Sequence, residues 1–157
     1  MTKSNFQRWL GRGAFAIALA GLATVAWAQT GGGSPVGKWK TIDDATGKPK
    51  SIVRIWEKDG EMMGVIDELI REPGEELNPA CTECEGERKG QPIKGMNILW
   101  GLRQDGTEWS GGKILDPANG KTYKCYIEVV DGGRRLKVRG FVGFALLGRT
   151  QYWQRAE

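Results

Sequence analysis

Histidine is absent from the 157 residues. Its absence removes the commonest general base and the commonest metal ligand. Any Ser-His-Asp or Cys-His mechanism carried by this chain alone is excluded with it. Long apolar runs are missing after the first 28 residues. The longest is Phe141 to Leu147, broken by Gly143, against the roughly 20 residues that a spanning helix requires. A strong charge of one sign is missing too. There are 23 basic and 19 acidic residues, and three of the bases (Lys3, Arg8 and Arg12) precede residue 29 with no acid beside them. The remainder carries 20 against 19. A nucleic-acid partner is therefore not expected, because phosphate binding needs a basic excess on one face. The densest basic group, Arg134, Arg135, Lys137 and Arg139, reads as the wet face of one strand. Helical periodicity is sparse and no internal repeat is visible.

What is present begins with a leader. The basic start is followed by an apolar run from Ala14 to Val25 and then by Ala26-Trp27-Ala28 ahead of Gln29. This is the order of a secretory signal peptide with its cleavage site. The apolar core of about a dozen residues is too short for a retained anchor, which needs roughly 20. The expected organisation is a cleaved signal peptide over 1–28, a flexible lead-in over 29–35 with Gly31-Gly32-Gly33, and a single domain over 36–157. The expected location is periplasmic or extracellular, with no transmembrane segment in the mature chain.

That domain reads as eight short strands separated by Gly, Asp, Asn and Pro. The expected strands are 36–42, 51–57, 61–70, 96–103, 107–115, 121–130, 134–142 and 150–155. Lys58-Asp59-Gly60, Gln104-Asp105-Gly106 and Asp131-Gly132-Gly133 mark hairpins, and Asp116-Pro117-Ala118-Asn119-Gly120 marks a tight turn. Tyr123, Cys125, Ile127 and Val129 alternate with polar residues, as do Leu136 and Val138, so these sets face the interior. Eight consecutive antiparallel strands favour an up-and-down barrel, which removes the exposed edges of an open sheet. A two-sheet β-sandwich is the alternative.

Cys81-Thr82-Glu83-Cys84 lies in a long irregular stretch, 71–95. In an oxidising compartment a local disulfide is the simplest reading. A redox dithiol and a metal site completed by Cys125 are the others. Glu83, Glu85 and Glu87 disfavour a thiolate, and Cys125 reads as a small buried hydrophobe. The stretch is acidic, with Arg71 as its one base between Asp67 and Arg88. It could attract Ca²⁺ or a basic partner, but the EF-hand spacing is absent and a solvated loop is the simpler reading. Trp56, Trp100, Trp109, Tyr123, Phe141 and Phe144 are candidate walls of an apolar pocket. Alternatively, the tryptophans simply fill a small barrel. No catalytic constellation, cofactor motif or metal-ligand set stands out.

Gly37-Lys38-Trp39 resembles the Gly-x-Trp signature of lipocalin-type barrels. The resemblance implies a Trp39 plug at one barrel end with a basic residue over its ring, for which Arg149 and Arg155 are the candidates. A wider set of segments runs in order through the chain: Gly37-Lys38-Trp39-Lys40-Thr41, Cys81-Thr82-Glu83-Cys84, Gly95 to Leu102, Asp116 to Tyr123, Leu136 to Gly140, and Gly148 to Trp153. These resemble the domain of unknown function 2147 family, secreted bacterial proteins with a lipocalin-like barrel. The resemblance implies barrel and export and supplies no activity. The functional expectation is an exported, non-enzymatic barrel that binds a small apolar or amphipathic ligand. A cell-envelope interaction module with a filled barrel is the alternative, and a thiol or metal protein built on the C-x-x-C is a further one.

Overall fold

The structure, a computed structural model, describes residues 33–156. The signal-peptide reading and the first part of the lead-in lie outside the described residues. Eight strands follow one another: β1 Gly37–Ile42, β2 Pro49–Lys58, β3 Glu61–Leu69, β4 Asn97–Asp105, β5 Glu108–Asp116, β6 Lys121–Val130, β7 Arg135–Phe141 and β8 Gly148–Ala156. Each pairs antiparallel with the next, and β8 returns to β1 through Lys38↔Ala156, Trp39↔Arg155 and Lys40↔Gln154. The sheet is thus a closed barrel, and the sandwich alternative is excluded.

The alternation read in the sequence sets the register. Cys125, Ile127, Val129, Leu136 and Val138 are all buried at 3% exposure or less. Sheet pairing places Ile127 opposite Val138 and Val129 opposite Leu136, so the apolar rows of β6 and β7 meet inside. Each such side chain contributes about 1.5–3 kcal/mol by leaving water. The outer face carries the charges. Lys137 reaches Glu128 at 3.0 Å, Arg135 pairs with Asp131, and Arg139 donates to the carbonyl of Ala145 at 2.7 Å. The basic group seen in the sequence is therefore engaged by its neighbours on that wall.

Strict alternation breaks at β4 and β5. Gly101 and Gly111 have φ of +73° and +79°, in the left-handed region that favours glycine. The β3–β4 register shifts across Gly101 and the β5–β6 register shifts across Gly111, as expected of bulges that bend a strand to close a small barrel. Beside them, β5 runs so close to β4 that a Cβ on Gly112 would stand 2.5 Å from both Leu102 Cγ and the Trp100 carbonyl.

The long connection between β3 and β4 is more ordered than a solvated loop. Cys81 N–H donates to Gln91 at 2.8 Å and Gly90 N–H returns to Cys81 at 2.9 Å. Ala80 bridges Pro92. The Cys81–Cys84 disulfide clasps this excursion, with both residues buried. Its backbone packs onto the β5–β6 turn so tightly that a Cβ on Gly120 would lie 1.7 Å from the Glu83 carbonyl oxygen.

Candidate functional site

The two barrel ends differ. At one end the inward side chains are large: Trp39, Met62, Leu102, Trp109 and Leu136, each 6% exposed or less. The chain before β1 seals this end. Trp39 Nε1–H donates to the Pro35 carbonyl at 2.7 Å. The Arg155 guanidinium lies 4.1 Å from the centre of the Trp39 ring. It also donates to the carbonyls of Gly133 at 2.6 Å, Ser34 at 3.2 Å and Val36 at 3.4 Å. Residues 33–35, read as the end of a flexible lead-in, are thus fastened over the barrel. Of the two arginines offered for this place, Arg155 takes it. Arg149 sits on the same inward row of β8 but at the other end, paired with Asp44. The assignment of Arg149 to the Trp39 end is corrected.

The opposite end is open. A cavity of about 1060 Å³ enters the barrel there, bounded by the β1–β2, β3–β4, β5–β6 and β7–β8 connections. Its inner wall is aliphatic, from Ile66, Ile98, Ile114 and Val138, and Trp153 forms the floor. Gly140 contributes no side chain to fill it. Polar groups stand toward the mouth: the Thr41 and Ser51 hydroxyls are 2.7 Å apart, and Asn119 donates to the Tyr123 hydroxyl at 3.0 Å. The volume sits at the upper limit of the range, about 300–1,000 Å³, of pockets that hold small molecules.

Six charged residues belong to the wall: Asp43, Asp44, Lys50, Arg71, Asp116 and Arg149. Asp43 accepts from the backbone N–H and the hydroxyl of Thr46 and faces Lys50 at 3.8 Å. The Thr46 hydrogen bonds, first the backbone one, hold its carboxyl below the usual range, as suits an anchor of the turn. Asp44 accepts from Arg149 and Gln151. Asp116 accepts from Ala118 N–H at 3.0 Å and from Asn119 at 3.2 Å.

The aromatic residues singled out in the sequence divide. Tyr123 stands in the cavity wall. Phe141 belongs to the mouth, while its ring leans to within 6.4 Å of the Tyr126 ring on the outer face. Trp56 and Trp100 are corrected: they sit half-buried on the outside, each under an arginine, Arg54 at 5.0 Å and Arg88 at 4.7 Å. Trp109 points inward but fills the sealed end. Phe144 is 79% exposed and stands outside the lining. It projects from the β7–β8 tip together with Val142, Leu146 and Leu147, all of them exposed. Arg71, noted in the sequence as a lone base among acids, is a wall residue that spacing alone did not mark. Cys125 lies on the inner face away from the disulfide, and burial pushes its thiol up to about 12. Among the described residues no group of three or more Cys, Asp or Glu is arranged to hold a metal ion.

A closed eight-stranded antiparallel barrel, sealed at one end by Trp and Arg and open at the other, is a lipocalin-like architecture. The family described as an uncharacterized protein conserved in bacteria (DUF2147) matches residues 37–155, and the chain belongs to that family. Among solved structures, the chain is similar to a Helicobacter pylori protein, HP1028, described as belonging to the lipocalin family. The TM-score is 0.68 at 20% identity, covering 79% of this chain and 84% of that one. At that identity the likeness is one of fold. No curated protein matches the chain.

Proposed function

We propose that this protein is an exported, non-enzymatic carrier or receptor that holds one small apolar or amphipathic molecule in the open end of its barrel. The cavity of about 1060 Å³ with an aliphatic wall and a tryptophan floor carries this reading. A packed core leaves few voids larger than a water molecule, and a space of this size lined by Ile and Val suits an apolar guest. The chain's lack of histidine supports the non-enzymatic half, and the order of residues 1–28 supports export.

Native mass spectrometry of the protein isolated from its own host tests the reading. A bound mass that is released on denaturation is expected, on a chain whose intact mass begins at Gln29. A bare chain that also takes up no apolar compound overturns the binding half. A first residue at Met1 overturns cleavage.

The exposed β7–β8 tip favours a second reading, in which the open end docks onto another surface of the cell envelope. Val142, Phe144, Leu146 and Leu147 are 66–90% exposed, and contiguous exposed apolar side chains commonly mark such contacts.

A further inference from the structure

We infer that the cavity takes a single-chain amphiphile with an acidic head, carboxylate or phosphate, and that Arg71 holds that head. This rests on the reading of the cavity as a ligand site.

The charges of the wall carry the inference. Asp43, Asp44, Lys50, Asp116 and Arg149 each have a partner, as described above. Arg71 has none: among the described residues its guanidinium makes no hydrogen bond and no ion pair, and its Nε is buried without an acceptor. Arg71 stands two residues beyond the end of β3, and Leu69 and Ile93 line the same wall. A guanidinium stays charged at any physiological pH, and a shielded N–H without an acceptor is costly. Such an arrangement persists when something else supplies the anion. A carboxylate or phosphate offers the planar or multiple acceptors that fit the guanidinium fork. Deeper in, Ile66, Ile98, Ile114, Val138 and Trp153 offer apolar surface to a tail, the Trp153 indole N–H donating to Gln151 at 3.4 Å. The wall's other charges cancel in pairs or are capped, so they leave Arg71 as the group that discriminates between heads.

Calorimetric titration of the mature protein with decanoate and decyl phosphate, each below its micellar concentration, and with decan-1-ol below its solubility limit, tests this. The two acids distinguish a carboxylate from a phosphate head, and the alcohol reports the same tail with an uncharged head. At least one acid should bind about tenfold tighter than the alcohol or better, the size expected of a charge-assisted hydrogen bond. Arg71→Gln should bring the acids down to about the alcohol's level, with the alcohol's own affinity moving far less than theirs. Arg71→Lys, which keeps the charge, should retain most of the preference, and it serves as the second variant should Arg71→Gln fold poorly. Equal binding of acids and alcohol, or an undiminished preference in Arg71→Gln, overturns the inference while the cavity reading stands. Failure of all three probes to bind the wild type overturns both.

Discussion

Replacing Arg155 by methionine tests whether one guanidinium holds the sealed end. Methionine keeps most of the apolar stem and removes the head. The head lies 4.1 Å from the Trp39 ring centre and donates to three carbonyls in two separate segments, at 2.6, 3.2 and 3.4 Å. Arg155 is exposed on its outer side, so the cation–π contact is worth about 0.5–1 kcal/mol. One good and two long hydrogen bonds add about 1–2 kcal/mol together. The total is about 1.5–3 kcal/mol, or a fall in melting temperature of about 5–12 °C for a domain of this size. Arg149→Met is the matched control: the same residue type on the same row of β8, paired with an exposed Asp44. It should cost at most about 1 kcal/mol. Arg155→Lys should recover less than half of the loss, since an ammonium lacks the planar fork. Differential scanning fluorimetry reads all three. A melting temperature for Arg155→Met within about 2 °C of wild type, or equal falls for both methionine variants, refutes the reasoning.

Three further outcomes follow from the same packing. Gly112→Ala places a Cβ 2.5 Å from Leu102 Cγ and the Trp100 carbonyl, so urea unfolding should show a loss of about 3 kcal/mol. Gly106→Ala has open space but a φ of +62° and should lose only about 1 kcal/mol; equal losses would contradict the close approach of β5 to β4. Gly140→Leu starts from a Cβ in ordinary 3.5 Å contact with Ile114 and Tyr123 and grows into the cavity. It should weaken uptake of decyl probes about tenfold or more without lowering the melting temperature, and unchanged uptake would place the guest elsewhere. Cys125, with its thiol raised by burial from 9.0 to about 12, should resist alkylation at pH 8 while folded. The unfolded thiol loses its proton first, so this group's contribution is full below pH 9 and is lost as pH rises toward 12. Cys125→Ser should flatten that slope, and rapid labelling of the native protein would refute the burial.

The barrel was legible because its signals are local. Asp-Gly turns and period-two alternation in β6 and β7 fix neighbours and faces without long-range information. The wrong assignment of Trp100 arises where alternation fails. Around Trp100 the run Ile98-Leu99-Trp100-Gly101-Leu102 is apolar throughout, and the bulge at Gly101 puts Leu99 and Leu102, three apart, on the same inner face. Parity counted along the run therefore misplaces Trp100. Trp56 did carry a signal: Val53 and Ile55 are the buried pair on β2, so Trp56 shares its parity with Arg54, on the outside. The choice between Arg149 and Arg155 was also open to strand geometry. Antiparallel closure brings the start of β1 to the end of β8, and Arg149 lies six residues, roughly 20 Å, back along the strand. Arg71 was visible as an odd charge in an acidic segment, but its place in the wall depends on how residues 70–96 fold back, which no short-range pattern encodes.

The cavity follows from side-chain size rather than from strand number. Eight strands enclose an interior just wide enough for side chains to fill or for one small guest, so the inward residues decide which. Along the rows, Trp39, Trp109, Met62 and Leu102 occupy the sealed half, while Ser51, Ile66, Val138 and Gly140 occupy the open half. The row of β8 passes from Arg149 and Gln151 through Trp153 to Arg155, with polar groups at both ends and the floor between them. Indoles at one end and small or aliphatic groups at the other leave a one-ended well without any change in hydrogen bonding. Its depth is set by Trp153 and its mouth by the four connections. A strand register held by the filled half can therefore tolerate changes of residue in the open half. On the proposed reading, that is where a substitution would alter the guest without disturbing the fold.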